Sequence, residues 1–442
     1  MSGKHLYWLY NELPKLHESG VLDDDAIARL KVHYGDVKPT SITQVAIILC
    51  SVLGACLIGS GVILLVAYNW AELSRPIRTF VSIAPLAVAQ SLVGWALFRK
   101  SDSIAWREGS GALLTMAIGS SIALIGQTYH IPGNLASFLF TWLLLGLPAL
   151  YLLRSTLIAF FYMIGATFWV FEIQSRWGHA LWYGPLLAGV LPFLWLALKN
   201  NPRRGGTLLL GWVFCLNLVI TLGIVLERNM PGLWIVAYSG MFAVFALVGR
   251  TWYRETPGQP FSIVGATGTV IICIVFTFDD VWDRIGYRYY RYGYEYHEIA
   301  AYQDYLIVLG ILSALTALCV YKVRRSDFSS LSWMGSPVLA LLFFAGLSVT
   351  DTNELSVIAA GAFNLYLFAL GMYTISSGLR REQLGVINGG MTILSLLFIV
   401  RFFDSDLGFM VRGIAFILIG SGFLTANLFM ARKFRESEGE SS

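Results

Sequence analysis

The chain has 442 residues, 56% of them hydrophobic and only 13% charged, with 31 lysines and arginines against 27 aspartates and glutamates. Soluble domains carry about 25% charged residues, so water is not the main solvent of this protein. Its net charge of +4 is scattered through many short connections, which excludes the concentrated basic stripe of a nucleic-acid binder.

Residues 1–40 are polar and lack an apolar core near the start, so no cleavable signal peptide is expected and the first apolar span acts as its own insertion signal. Within them Leu6, Trp8, Leu9, Leu13 and Leu16 make one apolar stripe, and Gly20 interrupts it. Asp23 to Asp25 offer a cap for a second helix through Tyr34, and Gly35 ends it. The pattern predicts a cytoplasmic helical hairpin lying on the inner membrane surface, with a docking or regulatory element as the alternative.

Residues 41–432 form the membrane domain, and 433–442 a polar cytoplasmic tail. Fourteen apolar spans are expected, at 42–66, 77–98, 108–126, 135–153, 155–173, 181–198, 206–226, 232–249, 261–278, 304–321, 333–350, 355–377, 383–402 and 409–430. A helix needs roughly 20 apolar residues to cross a hydrocarbon core about 30 Å thick. The expectation is an all-α, polytopic integral membrane helix bundle with about 14 transmembrane helices. The break at Arg154 is so tight that a loop and a kink are both open.

With both termini inside, alternate connections on the inner face hold 22 of the 31 basic residues, including Arg99, Lys100, Lys199, Arg203, Arg380 and Lys433. The carboxylates divide almost evenly, 14 inside and 13 outside, so the asymmetry is that of the positive-inside rule and predicts N-in/C-in.

Ionisable groups near a helix centre would mark an ion or proton path, and none is found there. The deepest polar residues are Gln90, Asn217, Asn364, Asn388 and Asn427, read as interhelical hydrogen-bonding groups in preference to substrate contacts. Close helix packing is expected at Gly385 and Gly389, and along the third span at Gly109, Gly111, Ala117, Gly119, Ser120, Ser121 and Ala123. Leu-Ile-Gly-Ser-Gly occurs at both 57–61 and 418–422, read as shared small-residue packing ahead of an ancestral repeat.

Polar chemistry gathers at outer helix ends. Asn69, Trp70 and Glu72 follow the first span, Gln127, Tyr129 and His130 the third, and Asp404 and Asp406 precede the last. The tyrosine-rich connection from Asp279 to Asp304 reads as a headgroup-layer segment. Neither histidine nor carboxylate spacing matches a metal site, and no metal or cofactor is expected. P-loop, H-E-x-x-H, G-x-S-x-G and C-x-x-C motifs are missing from the sequence. Cys50, Cys56, Cys215, Cys273 and Cys319 all fall within spans, as packed apolar residues do.

Three blocks carry a resemblance: Leu13-Pro14-Lys15-Leu16-His17-Glu18-Ser19-Gly20-Val21-Leu22, the run Leu57 to Trp70, and the run Ile122 to Gly133. In that order they resemble the bacterial multi-pass family known as domain of unknown function 2157, over about residues 6–145. Arg401-Phe402-Phe403-Asp404 followed by Arg412-Gly413 is similar to full-length members. The resemblance implies a bacterial plasma (inner) membrane protein and brings no catalytic residues with it.

A carrier of a small solute or a lipid fits the many spans and the missing catalytic motifs best. A transferase acting on a lipid-linked substrate, with Glu72, Asp404 or Asp406 as base, and a scaffold or sensor using the N-terminal hairpin are the alternatives. Membrane lipids are the expected partners. Asn69, Trp70, Gln127, Tyr129 and His130 are expected to line one outward-facing pocket, helix capping and headgroup anchoring being the other reading.

Overall fold

A computed structural model of the chain describes residues 12–34, 68, 70–175, 182–229, 232–251, 253, 258–283, 317, 332–349, 353–404, 414, 417, 420 and 421. The chain divides into two compact units, Met1–Phe80 and Val81–Ser442.

In the first unit, residues 12–18 are helical and Gly20 turns the chain with φ +72°. Helix α1 (Asp24–Tyr34) follows, one of its free first-turn amides satisfied where the Ala26 N–H donates to Asp23 Oδ1 at 2.8 Å. The break and the cap stand where the sequence put them. Residues 1–11, the first expected span, and Leu57 to Gly61 lie outside the described residues. A short 3-10 turn, Trp70–Glu72, comes next, and Arg78 donates to its backbone and to the residue after it, at Ala71 O (2.8 Å) and Leu73 O (2.9 Å).

The helices that follow are α2 (Arg75–Arg99), α3 (Ile104–Tyr129), α4 (Leu135–Leu153), α5 (Thr156–Ser175), α6 (Tyr183–Asn200) and α7 (Gly205–Asn229). After them come α8 (Trp234–Thr251), α9 (Pro260–Val275), the short α10 (Asp279–Asp283), α11 (Gly335–Val349), α12 (Asn353–Arg380) and α13 (Leu384–Asp404). Among the described residues eight helices are long and apolar enough to cross a membrane: α2, α3, α4, α5, α7, α11 with the 3-10 turn before it, α12 and α13. Shorter apolar helices are α8 and α9; the 16 residues of α9 reach only about 24 Å at 1.5 Å per residue. Spans expected at 304–321 and 409–430 lie outside the described residues, apart from isolated helical positions.

Many large apolar side chains of this unit face outward. Phe98, Leu365 and Leu342 are 90%, 69% and 62% exposed, which only a lipid environment tolerates over so much of a helix bundle.

Two large clusters of buried side chains form the core. The first runs through α2 to α7 and on to Phe245 of α8 and Phe261 of α9, around Leu150, Leu153, Ile158 and Met163. The second takes Leu226 from the end of α7 and runs through α8 to α13 around Phe276, Trp282 and Phe363, whose rings sit 5.0–5.5 Å apart.

Arg154 takes a left-handed conformation, φ 49°, and ends α4, so the tight break separates two helices and is no kink. Glu108 of α3 then caps α5: Ser155 Oγ donates to its carboxylate at 2.5 Å, and the Thr156 and Leu157 amides each donate at 2.8 Å. A carboxylate there satisfies orphan amides and complements the helix dipole.

Contacts among helix ends place the connections. The start of α3 meets the start of α5 through Glu108, and a Cβ on Gly206 at the start of α7 would touch Thr156. Gly211 of α7 faces Pro260 at the start of α9, and Gly249 near the end of α8 lies against the Ser262 backbone. This continuous series gathers Arg99, Lys100, Arg107, Arg154, Arg203, Arg204 and Arg250, at or beside those ends in sequence, to one end of the bundle.

Small residues pack differently from the expectation in two places. On α3, Gly111, Ala117, Gly119 and Ser121 are buried, but Gly109 meets no described atom within 4 Å and Ser120 and Ala123 are exposed, because they stand on the other side of the helix. Gly385 and Gly389 meet no described atom within 4 Å, whereas Gly378 and Gly390 press the α12 and α13 backbones together, a Cβ on either lying 2.8 Å from a backbone nitrogen of the other helix. Antiparallel helices touch along one stripe, and Gly385 and Gly389 are on the exposed side of α13.

Candidate functional site

The candidate site is built where α3 ends and α4 begins. Helix α3 runs through Tyr129, three residues beyond the expected span, so Gln127 and Tyr129 belong to its last turn. His130 closes the helix in the left-handed conformation, φ 52°, and both its amide and that of Ile131 donate to Gly126 O. This is the six-to-one closure of a helix end, usually made with glycine. Pro132 and Gly133 turn the chain, and Asn134 caps α4 by accepting from the Ser137 amide at 2.8 Å.

Between this turn and α2 lies an open cavity of about 820 Å³. Ile83 and Leu86 of α2 form one wall, and Ser121, Ile122, Ile125 and Gly126 of α3 recur at helical spacing along the second. Pro132 to Asn134 close one end, and Leu135, Ser137, Phe138 and Thr141 of α4 complete it. Two of its three hydroxyls donate within the protein: Ser121 to Ser82 O across to α2 at 2.7 Å, and Thr141 to Ser137 O at 2.9 Å. No ionisable side chain lines it among the described residues. Such a space suits an apolar or amphipathic molecule whose few polar atoms meet Asn134 and the hydroxyls.

Of the five residues expected to line an outward pocket, Asn69 lies outside the described residues. Trp70 sits in the 3-10 turn of the first unit, half-buried. Gln127, Tyr129 and His130 are exposed and are not among the cavity's lining residues. The lining comes from their neighbours, because successive helical residues diverge by about 100°, and Gly126 and Gln127 therefore face different directions. Glu72 is exposed at the same 3-10 turn, and the Asp404 and Asp406 side chains lie outside the described residues. No three histidine, cysteine or carboxylate groups converge as metal ligands do, among the described residues. Cys215 and Cys273 are free and buried.

Asn217 and Asn364 make hydrogen bonds between helices. The Asn217 amide nitrogen donates to Met163 O at 2.9 Å and to Thr167, both on α5, while its oxygen accepts from Tyr183 of α6. The Asn364 oxygen on α12 accepts from Arg401 Nε of α13 at 2.9 Å. That guanidinium also lies 5.1 Å from the Phe278 ring. Sequence reading missed Arg401 as a structural group. Its sole signal was a cation one residue inside the end of the span expected at 383–402, where a buried partner was needed.

Residues 14–159 match the model of the family described as "Predicted membrane protein (DUF2157)". The match bears out the resemblance read from residues 6–145. It covers α1 to α4, and with them every described residue of the cavity. No curated protein and no solved structure matches the chain.

Proposed function

We propose that the protein is a carrier of a small amphipathic solute or a lipid. In this reading it has about 14 spans and cytoplasmic termini in the bacterial plasma membrane, and the α2–α3–α4 cavity opens to the outer face. The cavity is the observation that carries it. It is large enough for a ligand, since such sites hold about 300–1,000 Å³, and it lies in the part of the chain that the family model covers. Its end is also opposite the basic connections, which the positive-inside rule assigns to the cytoplasm. Apolar walls take the hydrocarbon part of the solute; Asn134 and the hydroxyls, with Gln127, Tyr129 and His130 beyond the rim, take its polar part.

Native mass spectrometry of the detergent-purified protein tests this. A discrete adduct is expected, and Gly126→Leu should remove it without unfolding the protein, because a Cβ at Gly126 meets no described atom within 4 Å and the longer side chain would enter the cavity. A protein that purifies with no adduct, or an adduct that survives Gly126→Leu, would count against the reading.

A further inference from the structure

Arg250 stands in the last turn of α8, at the basic end of the bundle. Its guanidinium lies 4.3 Å from the centre of the Trp333 ring, and Trp333 is 3% exposed. The Arg250 Nε is buried without a hydrogen-bond partner, and among the described residues no carboxylate pairs with it. The charge that does act on it has the same sign: Arg381, one residue beyond α12.

A second orphan shares this end of the bundle. Gln259, which precedes α9, is 3% exposed, and neither its amide nitrogen nor its amide oxygen has a partner. Gly249 packs on the backbone of Ser262, which brings the residues just before Ser262 to the end of α8 that carries Arg250.

Leaving a buried cation unpaired is costly. Stacking on a desolvated tryptophan and the negative end of α8 offset part of that cost. Repulsion from Arg381 works the other way. Among the described residues this arrangement lacks negative charge, and a guanidinium in the field of a further cation suits a tetrahedral oxyanion, which it can grip through charge-assisted hydrogen bonds.

The geometry points to a binding site for a phosphate-type oxyanion, held by Arg250 on its Trp333 platform, with Arg381 adding positive charge and Gln259 an uncommitted donor at the same end. The anion is either a lipid headgroup phosphate or phosphate free in solution. The site shares no residue with the α2–α3–α4 cavity, so the carrier reading and this one stand or fall separately.

The test is the thermal midpoint of the full-length protein in neutral detergent, titrated at constant ionic strength with inorganic phosphate, phosphatidylglycerol or phosphatidylcholine. The midpoint should rise with an anionic ligand and not with phosphatidylcholine, and Arg250→Gln should raise the half-saturating concentration about tenfold or more, as loss of a charged hydrogen-bonding partner does. A rise with phosphatidylglycerol alone assigns the headgroup; a rise with inorganic phosphate as well assigns the oxyanion itself. No rise with either anion, an equal rise with phosphatidylcholine, or the same half-saturation in Arg250→Gln overturns the site. If Arg250→Gln does not fold, Arg250→Lys takes its place. It keeps the charge but loses the fork and the stack, so about tenfold weaker binding is expected, and unchanged binding overturns the proposal.

Discussion

Helices α2–α7 and α8–α13 of the larger unit, each built mainly on one of the two large core clusters, solve the same packing problem in different ways. In α2–α7 the helices are tied by polar side chains: Glu108 caps α5 from α3, Asn217 joins α5, α6 and α7, and Trp142 Nε1 donates to Thr115 O at 2.7 Å. In α8–α13 backbones come into direct contact at Gly249, Gly265, Gly378 and Gly390, where an added Cβ would overlap main-chain atoms of the neighbouring helix. Lipid tails are as apolar as leucine, so helices in a membrane gain little from hydrophobic burial and associate through close packing or hydrogen bonds. Side-chain ties hold helices at a distance and leave room between them, and the cavity lies in the region that uses them. Close backbone contact leaves no such space along the contact stripe.

Glycine substitution should break this comparison most sharply. Gly265→Ala would drive a methyl group into the Ala246 backbone, and a loss of about 3 kcal/mol or more is expected, since packed backbones cannot yield as side chains do. Loss of the thermal transition, or of folded protein on a detergent column, would show it; an unchanged midpoint would mean that α8 and α9 do not pack through glycine.

The polar ties of the other cluster should yield less. Glu108→Ala leaves the Ser155 hydroxyl and two helix amides without their acceptor, at about 2 kcal/mol for a charged hydrogen-bonding group. Glu108→Gln, which keeps one acceptor oxygen, should lose about half of that. Thermal unfolding of both variants checks the order.

Asn217→Leu comes next, at about 1–2 kcal/mol, the range measured for interhelical hydrogen bonds in membranes. A loss as large as that of Gly265→Ala would erase the distinction between the clusters.

The smallest effect sharpens the comparison from the other side. Gly126→Ala on the cavity wall has open space before it, and should leave stability unchanged or raise it by up to about 1 kcal/mol, the helix-propensity difference between the two residues. A loss comparable to that of Gly265→Ala would mean that the cavity is not open.

Much of the helical architecture was legible in the chain itself. An apolar run of about 20 residues has few stable choices other than a spanning helix, because lipid leaves backbone groups no other partner. The ends of α4 and α13 accordingly fall within two residues of the expected ones. Gly20 and Asp23 were readable for a local reason: turns and caps depend on neighbours in sequence. The candidate site was legible only in part. The turn between α3 and α4 was found from its proline and glycine, while the choice of Gln127, Tyr129 and His130 rested on polarity alone, and polarity does not say which way a side chain points.

Sequence by itself determined the solvent, the helices and the end of the bundle that carries the cations, since each follows from composition or from neighbours along the chain. Only the tertiary structure decided that Gly265 and Gly378 are contact points while Gly126 and Gly385 are not. It alone set Arg250 on Trp333, residues 83 positions apart in the chain, and opened the space between α2, α3 and α4. Those are facts about which helix faces meet, and a helix with apolar residues all round carries no mark of the face its neighbour will cover.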